Sequence, residues 1–328
     1  MTDARANGRS HALLAALVAT FALLAAPARA ADADGPTVLT GTQATYSLAV
    51  ALAAGTPLRI VNVPADGRQL ALLKDYIERR QEALAPTFAA ATAAIALTNA
   101  LPGDPLYRFA REANVRIVDI EAAVPWSLDM PGVALAASPA SNVAWGNDTD
   151  VAESETAQYL WLSVSNAIRM GDIIAHDLTA LFPDSAATIT QNLDALKREL
   201  LALRNDYQNR LIASGDDVVF ALTGDFVYLT NDLGLFVDGY FIKQDVRWTE
   251  TDLAMLTSHL RDREIEVVIH KWLPSEAIQN AVRAAGAELV VLDAGDPGIV
   301  VERALAADGL QQVLRKNLEA VSAAFAQP

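Results

Sequence analysis

The stretch Asp184 to Ser214, DSAATITQNLDALKRELLALRNDYQNRLIAS, decides how the rest of the chain is read. Its apolar residues Ile189, Leu193, Leu196, Leu200, Leu203, Tyr207 and Leu211 recur by fours and threes. That spacing is one stripe along a helix, held for about six turns. Lys197, Arg198, Glu199, Arg204, Asp206 and Arg210 occupy the other faces, so most of the circumference suits water. Asp184 or Ser185 stands where a helix cap is wanted, and Gly215 where a left-handed residue ends a helix. About 28 helical residues span about 42 Å at 1.5 Å each. Such a helix is either a long surface element or a rod joining two lobes.

The flanks favour the rod. Before it, TVLT (Thr37 to Thr40), LRIVNV (Leu58 to Val63), AAIAL (Ala93 to Leu97) and VRIVDI (Val115 to Ile120) read as buried strands. Helices fall between them at Gln43 to Ala54, about Gln69 to Leu84, and Leu106 to Ala113, with another at Leu160 to Leu181. After Gly215 the alternation restarts, with strands at Asp217 to Leu222, Phe236 to Phe241, Glu266 to His270 and Glu288 to Asp293. The helices there are Phe226 to Leu235, Thr249 to Arg263 (capped by Thr249), Pro274 to Ala285 and Val301 to Ala324. Strand–helix–strand repetition implies parallel sheets. The expected fold is therefore α/β, two parallel-sheet lobes bridged by one long helix with a ligand cleft between them; one continuous sheet is the alternative. The expected divisions are residues 31–183, the bridge 184–214, and residues 215–328. Between Glu121 and Thr156 prolines and glycines break the periodicity around Trp126 and Trp145, which predicts a packed loop lining the cleft.

The first 30 residues read as a secretory signal. Arg5 and Arg9 precede the apolar run Ala12 to Ala26, which ends in Ala28-Arg29-Ala30, a small-residue cleavage site. Cleavage after Ala30 gives a soluble periplasmic chain. The 328-residue sequence carries a formal charge of −15 and no cysteine. Removing the signal takes away three arginines and one aspartate, leaving about −17. Nucleic acid is repelled by such a surface, and disulfides and thiolate ligands are excluded. A monomer is expected.

Several local strings then resemble one family, the zinc/manganese-type periplasmic solute-binding proteins of ABC importers. Tyr159-Leu160-Trp161-Leu162-Ser163, followed by Asn166-Ala167, is similar to the family's His-x-Trp-Leu-(Ser/Asp)-Pro-x-Asn-Ala. Thr223-Gly224-Asp225-Phe226-Val227-Tyr228-Leu229, running on to Leu233-Gly234-Leu235, resembles its His-Asp-x-Phe-x-Tyr-Leu…Tyr-Gly-Leu. Ala287 to Asp293 resembles the strand that ends in a ligand aspartate. The resemblance implies two lobes bridged by a long helix, a divalent metal ion as transported ligand, and a membrane permease as partner. It also implies four metal-ligand positions, and this chain departs at three of them. The early one falls in Ala65 to Leu70, which holds no histidine; the second is Tyr159 and the third Thr223, so only Asp293 remains.

Zinc asks for about four donors, usually with histidine or cysteine among them. Asp293 alone cannot supply that. His270 ends one strand as Asp293 ends the next, so both fall at the carboxyl edge of one parallel sheet, where open α/β sheets bind ligands. The expected metal ligands are accordingly His270 and Asp293, and the wider contact set is Tyr159, Trp161, Thr223, Asp225, His270 and Asp293, with Glu121 a further carboxylate. One histidine with carboxylates suits manganese or ferrous iron. Trp126, Trp145, Tyr159, Trp161 and Tyr228 form an aromatic cleft in a second reading, which suits a metal chelate or small organic solute. A third reading keeps the fold as a ligand-free interaction module. None of the catalytic or nucleotide-binding strings occurs, so an enzyme is not expected.

Overall fold

The computed structural model describes residues 35–146 and 156–326. The expected signal segment, residues 1–30, lies outside them. In chain order the elements are β1 (Thr37–Thr40), α1 (Gln43–Ala53), β2 (Arg59–Asn62), α2 (Leu70–Arg79), α3 (Gln81–Ala90), β3 (Ala91–Ala96), α4 (Leu106–Ala113) and β4 (Val118–Glu121). Then come α5 (Val164–Leu181), α6 (Ala186–Ser214), β5 (Val218–Ala221), α7 (Val227–Leu233), β6 (Phe236–Tyr240) and α8 (Glu250–Asp262). The chain ends with β7 (Val267–His270), α9 (Glu276–Ala285), β8 (Glu288–Val291), β9 (Val300–Val301), β10 (Ala304–Leu305) and α10 (Gly309–Ala324).

Two four-stranded sheets result, β2-β1-β3-β4 and β6-β5-β7-β8, parallel at every pairing. Both orders are the same, and each reverses direction between its first and third strand. The second sheet therefore has its switch point between β5 and β7, where loops leaving the strands diverge and open a crevice. Buried runs such as Val267 to His270 leave no polar face, as strands covered on both sides require.

The long helix α6 is 29 residues, about 43 Å. Ile189, Leu196, Leu200, Tyr207 and Leu211 of its stripe are buried, while Leu193 and Leu203 are half-buried. It ends at Gly215, whose φ of 80° is left-handed. Near its start Asn192 donates to the carbonyls of Leu52 and Ala54 at 2.9 and 2.8 Å. Near its end Gln208 donates to the carbonyl of Asp232 at 3.2 Å. One helix thus grips α1 of the first lobe and α7 of the second, which makes it the bridge. No helix among the described residues is long and apolar enough to cross a membrane.

Two element expectations need correction. The helix expected over Gln69 to Leu84 is broken at Arg80 (φ −122°, ψ 18°), so that α2 buries Leu70, Leu73 and Ile77 while α3 turns to bury Phe88. The helix expected from Val301 starts only at Gly309. Glu302 and Arg303 both take positive φ, 50° and 68°, and two such residues in succession close a tight β9–β10 hairpin. That hairpin is pinned to the first lobe, where the Leu305 amide donates to the carbonyl of Ala65 at 2.8 Å. Gly67 lies beneath it: a Cβ there would stand 2.7 Å from the Pro297 carbonyl oxygen.

Candidate functional site

The residues leaving the switch point of the second sheet are Thr223 and Asp225 after β5, and His270 and Lys271 around the end of β7. Thr223 Oγ1 donates to Asp225 Oδ2 at 3.0 Å. Lys271 Nζ lies 3.2 Å from the same oxygen and donates to Tyr159 Oη at 2.5 Å, with its charge 4.3 Å from the Tyr159 ring centre. Tyr159 belongs to the segment that leads into α5, so this bond crosses the cleft. Asp296 closes the group: both its oxygens accept from the Leu70 amide, at 3.0 and 3.2 Å, which ties the loop after β8 to the start of α2.

Charge explains the group's cohesion. Burial opposes the ammonium of Lys271, but the charge of Asp225 and the Tyr159 hydroxyl outweigh it and raise its pKa. Burial likewise raises Tyr159 above the usual phenol value, against the opposing pull of Lys271, so it stays a neutral phenol. The Asp296 carboxyl is pushed up to about 6, first by burial and also by Asp225, with the Leu70 amide and Lys271 acting the other way. A lysine ammonium paired with the Asp225 carboxylate and bonded to the neutral Tyr159 phenol therefore stands at this sheet edge, and its charge reaches the Asp296 carboxyl.

His270 and Asp293, the expected metal ligands, are both at the sheet edge but are engaged separately. His270 is 2% exposed, and its Nδ1 has no hydrogen-bond partner. Its Nε2 lies 3.9 Å from Asp245 Oδ1, and its ring centre is 4.3 Å from that of Trp272. Burial lowers its pKa although Asp245 and Asp225 pull upward, so it is neutral. Asp293 Oδ1 accepts from the Gly295 amide at 2.8 Å, capping the turn, and its Oδ2 faces Lys316 at 3.9 Å. Glu121 is wholly buried in the first lobe, where it accepts from the amides of Asn99 and Ala123 at 2.9 and 3.3 Å. Among the described residues no three His, Asp or Glu side chains gather in a way that could hold a metal ion.

The aromatic cleft is smaller than expected. Tyr159 and Trp161 stack edge to face, 5.6 Å between centres. Trp145 instead packs on Phe241 and His259 in the core of the second lobe. Tyr228 bonds the loop before α5, accepting from the Ala136 amide and donating to the Ala157 carbonyl at 3.1 and 3.2 Å. Trp126 is largely exposed. Tyr228 satisfies its phenol in that loop, whereas the buried Trp145 Nε1 has no hydrogen-bond partner among the described residues and is held by packing alone.

The quoted strings turn out to be structural where they are most regular. Trp161 Nε1 donates to the Ala294 carbonyl at 2.8 Å across the lobes. Ser163 caps α5 by accepting from the Asn166 amide at 3.0 Å, and itself donates to Asp232 at 2.9 Å. Asn166 holds Ala134 at both its amide and carbonyl, at 3.0 and 2.9 Å. Sequence reasoning missed two residues, Asp296 and, more centrally, Lys271. Its signal was position: it is the first residue beyond β7 at the switch point, in an acidic chain with Asp225 opposite.

A family model described as the periplasmic component A of a zinc-uptake complex (ZnuA) matches residues 87–324, and the chain belongs to that family. The zinc-binding lipoprotein AdcA of Streptococcus pneumoniae serotype 4 is 27% identical over 167 residues, 50% of this chain and 33% of the relative. The chain thus matches about a third of the length of that curated relative. Among solved structures, an FpvC mutant from Pseudomonas aeruginosa superposes with a TM-score of 0.65 at 19% identity, covering 88% of this chain and 98% of that one. The Zn(II)-bound ZnuA-like domain of S. pneumoniae AdcA gives 0.60 at 17% identity, covering 89% and 100%. Both share the two-lobed fold.

Proposed function

We propose that this chain is the periplasmic solute-binding component of an ABC importer, and that it presents its cargo to a membrane permease from the cleft between its lobes. Residues 31–183 and 215–328 are the lobes and 184–214 the bridge. The cargo is a metal chelate or small organic solute, contacted by Tyr159, Thr223, Asp225, Lys271 and Asp296, with Trp161 and neutral His270 behind them. One observation carries this reading: the cleft is centred on a lysine ammonium rather than on a cluster of histidines and carboxylates. A site with its own cation and carboxylates offers donors and acceptors to a polyfunctional solute. The buried His270 Nδ1, without a partner, is one such group.

A second reading is favoured by the zinc-uptake family model and the zinc-binding lipoprotein among the relatives. In it a bare divalent ion enters among Asp225, His270 and Asp293 after Lys271 swings out. A melting-temperature screen separates the two. Ligand at a hundredfold excess over Kd stabilises by about 2.7 kcal/mol. The expected result is no response to zinc, manganese or ferrous salts and a rise with ferric citrate, a zinc–histidine complex or an organic solute. Response to the bare salts alone would replace the first reading with the second. Mass analysis of periplasmic material should find an N-terminus at Ala31, and the protein should run as a monomer that co-purifies with its permease.

A further inference from the structure

The same site carries a sharper statement, which rests on the reading of that cleft as the cargo seat. We propose that the Lys271 ammonium is a built-in cation that occupies the position a divalent ion would need, so that the wild-type cleft excludes bare divalent ions and Lys271 sets the specificity.

Three observations lead there. The first is placement. Lys271 follows β7 directly at the switch point of the second sheet, so its backbone leaves straight from the end of a buried strand. The second is its surroundings. Asp225, Tyr159 and Thr223 are joined in one hydrogen-bonded group around it, and Asp296 feels the charge of both Lys271 and Asp225. Take away the ammonium and the Asp225 carboxylate is left beside the neutral oxygens of Tyr159 and Thr223 with no cation of its own, an arrangement that calls for one. The third is reach. The Lys271–Tyr159 bond joins the second lobe to the segment before α5, as the Asp296–Leu70 bond joins it to α2. A cation that bridges both sides of the cleft is what a bound ion would supply, and here the chain supplies it.

Electrostatics gives the consequence. A divalent ion brought to Asp225 arrives within a few ångströms of the Lys271 ammonium, which lies 3.2 Å from that carboxylate. In a partly desolvated cleft that repulsion is several times its value in water. No third histidine or carboxylate among the described residues stands by to offset it. Neutral Tyr159 and Thr223 oxygens are weak ligands. The charge and not the shape of Lys271 is therefore the barrier, and neutralising it should open the site.

The test uses zinc and manganese chlorides alone, titrated calorimetrically and followed by melting temperature, on the exported full-length chain. Wild type should bind neither ion at micromolar concentration. Lys271→Met with Tyr159→His, which removes the cation and adds one nitrogen donor, should bind one ion per chain. Its melting temperature should rise by about 5 °C at a hundredfold excess over Kd. Lys271→Arg with Tyr159→His keeps the charge and should stay unresponsive. Circular dichroism and metal-free melting establish that each variant folds; if Lys271→Met does not, Lys271→Gln carries the same comparison with a neutral hydrogen-bonding side chain. The proposal is overturned if wild type binds one ion at micromolar concentration, or if the neutralised and arginine variants bind metal equally. Failure to find a chelate or organic cargo leaves these outcomes unchanged, because metal alone is the probe.

Discussion

The two lobes share a strand order, yet their carboxyl edges are finished in opposite ways. In the first sheet β4 ends in Glu121, a buried carboxyl held by two backbone amides. In the second sheet β7 runs into Lys271, which pairs with Asp225 and Tyr159. Burial is the largest influence on Glu121, and its pKa is pushed up to about 7. Burial is also the largest on Lys271, but there the neighbouring charges win. Equal topology thus yields one edge that is a closed structural joint and another that is a charged seat. Fold places the edge; the side chains decide what it is for.

The contrast requires the two edges to be held together, and Trp161 is the pin. It is 1% exposed and spans the lobes through its bond to Ala294. Trp161→Ala should cost about 3–5 kcal/mol, the range for removing a large buried aromatic. In urea the midpoint should fall with an unchanged slope. A loss under about 1 kcal/mol would mean that the lobes are joined elsewhere, with α6 as the first place to look.

The next prediction bears on the first edge alone. Glu121 has a folded-state pKa of about 7 against an ordinary 4.5. A raised carboxyl favours folding when protonated, so its contribution is full below pH 4.5 and is lost as pH rises through 7. The difference amounts to about 3 kcal/mol. Asp119, raised to about 6 chiefly by burial, adds in the same direction. Stability measured by denaturant at pH 4.5, 6 and 8 should therefore decline less in Glu121→Gln than in wild type. Parallel declines would show that Glu121 is ionised at no cost, and the contrast between the edges would fall.

How much of this was legible beforehand follows from the kind of signal each part carries. The stripe on α6 announced itself because burial on one helical face repeats every three or four residues. The Thr249 cap was likewise legible, and it forms a reciprocal box with Asp252. The β9–β10 hairpin was not, because left-handed Glu302 and Arg303 carry no glycine or asparagine to mark the turn. At the site, attention to residue types that bind metals led to His270, whereas the cluster is built on its neighbour. His270 is the last residue of β7 and is buried, whereas Lys271 stands in the bend beyond it, so being one residue off selects a different environment. Trp145 was misplaced for a similar reason: an aromatic residue in a long loop says nothing about which core it will enter.

The smallest effect concerns the early family position, at Ala65 to Leu70, and it sharpens the comparison from the first-lobe side. Arg68 is the cationic residue there and invites a ligand role. It donates to the Gly67 carbonyl at 2.8 Å and lies 3.3 Å from Asp66, with both side chains about two-fifths exposed. Its guanidinium also sits 5.2 Å from the Tyr76 ring centre. These are local, solvent-screened contacts, and such pairs contribute about 0–1 kcal/mol. Arg68→Ala should therefore change stability by less than about 1 kcal/mol and leave binding of any solute that responds to Lys271 variants intact. The double variant with Lys271→Met should then behave as the sum of the two single changes, because residues without shared partners act additively. A loss of solute binding in Arg68→Ala comparable with that in Lys271→Met would extend the seat into the first lobe, and the asymmetry between the two edges would have to be redrawn around both cations.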